Sequence, residues 1–220
     1  ATVEQMDSSQ TVEIGVDDRG VDLNYLDGII DDVRIYKRAL SASEILALYT
    51  NQVDQEFISD ASNLVYNVGL NCMYTAQTFT AGVTGTLTGV NIALRRAGDT
   101  PYPLRVAIHS VENGIPTWVE LASTLVMPEN QKDSWQEALE YLVTFQPGVQ
   151  VQAGVQYAIV VNYVGASTGW PPEGIWRGST TDPLYSGGSD FSAECTGDTG
   201  PVWHPGSYDL FFRTYVSITI

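Results

Sequence analysis

Tyr157-Ala-Ile-Val-Val-Asn-Tyr163 contains a single polar residue, Asn162. A short, β-branched, continuously apolar run suits a strand covered on both faces, and a strand of that kind sits in the middle of a layered β structure. The runs around it agree. From Leu64 onward almost every apolar run is short, β-branched and bounded by Gly, Pro, Asn or Thr. The spacing predicts strands over Thr75–Thr80, Gly85–Arg95, Leu104–Ser110, Glu120–Met127, Trp135–Phe145, Gln156–Tyr163 and Tyr208–Ile220. Val106 and Ile108 fall on one face of their strand. From Phe212 the last strand alternates Phe212, Thr214, Val216 and Ile218 against Arg213, Tyr215, Ser217 and Thr219. The predicted fold class is all-β: an antiparallel β-sandwich, with one short helix near residues 42–49.

That helix belongs to a distinct opening segment. Thr11–Val16 alternates as a strand, Asp17-Asp-Arg-Gly20 is a turn signal, and Ile30–Tyr36 is rich in β-branched and aromatic residues. Ser41 and Glu44 have the spacing of a capping box, and Leu40 and Ile45 that of a hydrophobic staple. Two strands and a helix cannot bury their apolar faces alone, so they must pack on more of this chain or on another. The polar stretch Thr50–Asn63 reads as a link. The expected domains are therefore 1–52 and 60–220.

The phrase Asp27-Gly-Ile-Ile-Asp-Asp-Val-Arg-Ile-Tyr-Lys-Arg-Ala-Leu-Ser-Ala-Ser-Glu-Ile resembles the closing segment of laminin-G-like, concanavalin-type jelly-roll domains, over about residues 10–50. The resemblance implies that the sandwich is jelly-roll-like. That segment is normally the last part of a longer domain, so the resemblance also implies a chain that begins inside one. Ala76-Gln-Thr-Phe-Thr-Ala-Gly-Val-Thr-Gly-Thr-Leu, Val151-Gln-Ala-Gly-Val-Gln-Tyr-Ala-Ile-Val-Val and Tyr208-Asp-Leu-Phe-Phe-Arg-Thr-Tyr-Val are similar to repeated β-sandwich modules of large bacterial secreted and surface proteins.

The formal net charge of −16 excludes a nucleic-acid backbone as partner, which needs clustered Lys and Arg, and disfavours anionic membranes. No apolar run is long enough to span a bilayer as a helix. Few Lys, Arg and Met, with many Thr, Gly, Tyr and Trp, fit an extracellular or cell-surface protein. Cys72 and Cys195 either pair, closing a long loop worth about 4–5 kcal/mol in the chain-entropy model, or stay as free thiols.

Two constellations point to ligands. Asp17, Asp18, Asp22, Asp27, Asp31 and Asp32 supply the hard oxygens calcium prefers. Resemblance to laminin-G-like domains, which often hold calcium, singles out Asp27, Asp31 and Asp32. The alternative is that Asp31 and Asp32 pair with Arg34, Lys37 or Arg38, or cap nearby backbone. In the stretch Ser167–Tyr208, read as a long irregular loop, Trp170, Trp176, Tyr185, Trp203 and Tyr208 offer flat rings that stack on sugars. The alternative is a satellite core beneath that loop. Catalytic signals are weak. Ser207, His204 and Asp209 form a triad only on paper. Glu173, Glu194, Asp190 and Asp198 are unremarkable among so many acids. The expected function is thus a non-catalytic adhesive or carbohydrate-binding protein, with glycans or surface proteins as partners and calcium as a candidate cofactor. The alternative is a structural subunit assembled into filaments by strand addition between chains.

Overall fold

The computed structural model describes residues 16–17, 24–25, 51–58, 64–68, 73–97, 102–128, 139–164, 173–179, 185–195 and 201–218. The chain divides into two compact units, Ala1–Ser41 and Ala42–Ile220. In the first unit the described residues are a short antiparallel ladder, β1 (Val16–Asp17) with β2 (Asn24–Tyr25). The strand expected at 30–36 and the helix expected at 42–49 lie outside the described residues.

The second unit is an all-β sandwich of two antiparallel sheets. Its strands are β3 (Asn51–Phe57), β4 (Leu64–Val68), β5 (Met73–Thr80), β6 (Gly85–Ala97), β7 (Leu104–Glu112), β8 (Ile115–Val126), β9 (Leu139–Val151), β10 (Gln156–Tyr163), β11 (Glu173–Ser179), β12 (Asp190–Cys195), β13 (Pro201–Pro205), β14 (Asp209–Leu210) and β15 (Phe212–Ser217). Among the described residues one sheet runs β13-β12-β5-β10-β7-β8. The other runs β14-β11-β6-β15-β3, with β4 on β11 and β9 on β6.

Strand β10 lies between β5 and β7, and its two faces feed two cores. Tyr157, Ile159 and Val161 point between the sheets. There they join Phe79, Leu104, Val106 and Ile108 of their own sheet and Leu87, Val90, Ile92, Leu94, Val143, Phe145 and Phe212 of the other. Ala158 and Val160 point outward into a smaller cluster with Ala76, Phe191, Ala193 and Trp203. Full burial of each large apolar side chain contributes about 1.5–3 kcal/mol, so the inter-sheet core dominates stability. The β7–β8 hairpin turns at Asn113-Gly114, whose φ values of 53° and 80° are both positive. An Asn-Gly pair adopts that geometry with little strain, and its twist matches the strands it joins.

Two sequence readings need correcting. The supposed polar link contains β3, which pairs with β15 from Phe212↔Phe57 to Ser217↔Asn51. Its polar residues are those of an edge strand. The Asp54 carboxylate accepts hydrogen bonds from the Gly82 and Val83 amides at 3.0 and 2.9 Å, capping the β5–β6 turn, and Glu56 pairs with Arg213 at 2.9 Å. The stretch read as an irregular loop contains β11, β12 and β13. Gly, Ser and Thr in these strands blur the alternation on which strand recognition depends.

Candidate functional site

An aromatic group gathers on the outer face of the six-stranded sheet. Tyr74 on β5, Ala193 on β12 and Trp203 on β13 form one cross-strand row. Ala193 puts only a methyl group between the two rings. Into the space above it comes Trp118 of β8, stacked on Trp203 with centroids 4.8 Å apart and planes 13° from parallel. Trp118 also meets Tyr74 edge-on at 5.1 Å.

β8 and β13 are opposite edges of that sheet. Six flat strands at about 4.8 Å spacing would hold them about 24 Å apart. The β7–β8 hairpin therefore folds back across its own sheet. Register shifts at Ile108/His109 and His109/Val111 bend it. Ala76, Ala107 and Ala158, at most 1 % exposed, keep the surface beneath it low. Three polar contacts hold the arm. His109 Nδ1 donates to the Thr117 carbonyl at 2.8 Å, since a carbonyl can only accept. Ser110 and Thr117 share a hydroxyl hydrogen bond of 2.6 Å, and Arg105 donates to Glu120 at 2.6 Å. Burial holds the His109 imidazole below its ordinary value, aided by the Arg105 charge and opposed by the Thr117 hydrogen bond and by Glu120.

The result is a solvent-facing ring on a rigid bed. Trp118 is 44 % exposed while Trp203 beneath it is 9 % exposed. The Trp203 indole Nε1–H is buried and has no hydrogen-bond partner among the described residues. Ile115, Val119 and Leu121 on the same arm are also exposed. The arrangement offers a flat, half-exposed apolar face whose underside is already packed.

The rings picked from sequence are dispersed. Trp176 is fully buried in the inter-sheet core and its Nε1–H donates to the Phe211 carbonyl at 2.8 Å, so it is a core residue and not a surface ring. Tyr185 is half-buried, edge-on to Phe212, with its hydroxyl donating to Gln55 Oε1 at 2.8 Å. Tyr208 lies on the β13–β14 turn. Trp203 joins Trp118 and Tyr74, both missed from sequence because they sit on distant strands. Trp170, Asp27, Asp31, Asp32 and Cys72 lie outside the described residues, as does the Cys195 side chain, so the disulfide and the metal reading gain no geometry here. No group of three or more His, Cys, Asp or Glu suited to a metal occurs among the described residues.

The paper triad is not assembled. Asp209 is buried and both its oxygens are occupied, Oδ1 by Gln77 Nε2 and Oδ2 by the Tyr185 amide, each at 2.9 Å. His204 and Ser207 are exposed on β13 and the turn beyond it. A shallow depression between β6 and β9, lined by Thr88, Leu142, Thr144, Gln146 and Tyr215 among others, carries no acid, imidazole or thiol. Among the described residues no helix is long and apolar enough to cross a membrane. No protein-family model matches the chain, and a search of curated proteins finds no match.

Proposed function

We propose that the chain is a non-catalytic, extracellular or cell-surface module that binds carbohydrate through the outer face of its six-stranded sheet. The half-exposed Trp118 ring, stacked on Trp203 and braced by Tyr74, carries this reading. A ring already packed on one face loses little freedom when a sugar meets its open side, so less binding energy goes into ordering. Resemblance of the opening segment to laminin-G-like domains, and of the remainder to modules of bacterial surface proteins, supports the same role. So does the acidic charge, which suits a soluble module facing outward.

Retention on a panel of immobilised neutral and acidic glycans tests the reading. Trp118→Ala is expected to cost on the order of 2 kcal/mol of binding, about 30-fold in Kd. Trp203→Phe, which keeps a ring but removes the N–H, is expected to lose less. Absence of retention by the parent chain on every glycan, or unchanged retention by Trp118→Ala, overturns it.

Assembly by strand addition has its own supporting observation. Among the described edge strands, β3 carries Asp54 and Glu56, and β13 is bounded by Pro201 and Pro205. Beyond Pro116, β8 carries one charged side chain, Glu120, already paired with Arg105. Edges so poorly guarded invite pairing. Leu125, Met127 and, on β9, Leu142 are each at least half exposed. Size-exclusion chromatography and negative-stain microscopy check this: Leu125→Lys is expected to dissolve any oligomer, and a parent chain that stays monomeric at high concentration removes the reading.

A further inference from the structure

The end of the chain keeps two carboxylates out of water, and they are treated differently. Asp209 on β14 has a donor for each oxygen, as described above. Asp190, at the start of β12, is fully buried. Its Oδ1 accepts from the Tyr208 amide at 2.9 Å, but its Oδ2 has no hydrogen-bond partner among the described residues. The turn between β13 and β14 is wrapped around this group. The Gly206 amide donates to the Asp190 carbonyl at 3.0 Å. Gly206 itself lies flat against the carboxylate, so closely that any β-carbon there would run into Oδ1, Oδ2 and Cγ.

Among the described residues, the charged and titratable groups around Asp190 offer no counter-ion. Asp209 faces it from β14, and Tyr208 from the turn. Gln77 and Thr78 of β5, which bind Asp209 and the Ser189 carbonyl, are uncharged. On β13, His204 is exposed and registered opposite Ser192. No Lys, Arg or His forms an ion pair with Asp190 among the described residues. A buried carboxylate with neither a cation nor a donor for its second oxygen favours the neutral acid.

We propose that Asp190 is a proton-operated latch: when protonated it holds the Gly206–Tyr208 turn onto β12, and when it ionises it loosens that turn and the ends of β13 and β14. Asp209, with a donor on each oxygen, keeps its charge more readily, although burial raises its carboxyl as well. Burial first, then the charge of Asp209, push the Asp190 carboxyl up to about 6 from 3.8, against the opposing hydrogen bonds of the Tyr208 and Asp190 amides. The raised value sets the sign. The latch's contribution is complete below the unfolded value and is lost as pH rises through about 6. This is opposite to the behaviour of a salt-bridged Asp. Trp203 lies on β13 just before the turn, so the latch also ties pH to the bed of the aromatic site.

Hydrogen exchange of the whole chain tests the latch without any ligand. Protection of the Gly206 and Tyr208 amides, corrected for intrinsic exchange, is expected to fall at least about tenfold between about pH 4.5 and pH 8. In Asp190→Asn, which is neutral throughout, it should be flat. Equal pH dependence in both proteins, or constant protection in the parent chain, overturns the proposal. So does recovery of protection at about pH 8 on adding millimolar calcium chloride, which would make Oδ2 a cation ligand. Should Asp190→Asn not fold, the carboxyl ¹³C shift of Asp190 in the parent chain decides. A midpoint near 6 supports the latch, and a midpoint near the ordinary 3.8 overturns it.

Discussion

The inner and outer faces of the six-stranded sheet are both dry, yet they are built in opposite ways. The inner face is filled by large side chains, Phe79, Ile108 and Ile159, that meet equally large ones from the other sheet. The outer face is floored with alanines, Ala76, Ala107, Ala158 and Ala193, and is covered by the sheet's own folded-back edge. Small side chains give up stability at the floor, and in return a strand from one edge can lie across the sheet and bring Trp118 to Trp203. One face holds the molecule together; the other presents a surface.

Substitutions on the two faces should therefore separate stability from binding. Trp176→Ala removes a fully buried indole and orphans the Phe211 carbonyl. The expected loss is about 3–5 kcal/mol, or about 6–20 °C in Tm, read by thermal or urea denaturation. A loss below about 1 kcal/mol would deny the inner face its leading role. Ala158→Leu overfills the outer floor and is expected to cost about 1–3 kcal/mol. It should also displace the arm above it, seen as a red-shifted Trp emission. Unaltered emission would mean the arm does not rest on the alanines.

Trp118→Ala should be milder for stability, about 1 kcal/mol, because the ring is already half in water, while most glycan retention disappears. A large drop in Tm would make Trp118 a core residue and erase the contrast. The smallest effect is one of pH. His109 titrates below its ordinary value in the folded chain, so its contribution is complete above about 6.5 and is lost as pH falls through the folded value. Hydrogen exchange along Ile115–Leu121, corrected for intrinsic rates, should thus quicken modestly in acid. The turn at Gly206–Tyr208 should do the reverse. If both segments loosen together in acid, the two faces do not respond independently.

Much of the sandwich could be read directly from residues. Strands β5, β6, β7, β10 and β15 fall within a few residues of where apolar patterning and turn signals put them, because each has a strong pattern of its own, alternating or, in β10, continuous. The doubly covered run at Tyr157–Tyr163 marked the centre of a sheet. The misses share one cause. Asn51–Phe57 is polar because one side faces solvent and Asp54 serves a turn that comes later in the chain. Glu173–Ser179 and Pro201–Pro205 are short edge or near-edge strands whose partners supply the order that their own composition lacks.

The aromatic site divides the same way. Trp203 was legible as a ring among polar neighbours, and Trp176 looked the same. Only packing told them apart, placing one on the outer face and the other at the centre of the core. Sequence by itself determined where the strongly patterned strands lie and which of them is covered twice, since the apolar pattern of a segment is a property of that segment alone. Tertiary structure decided that Trp118 would cross the sheet to meet Trp203, and that Asp190 would be buried with no counter-ion among the described residues. Such pairings depend on strand order and on how an edge bends, which no local pattern encodes.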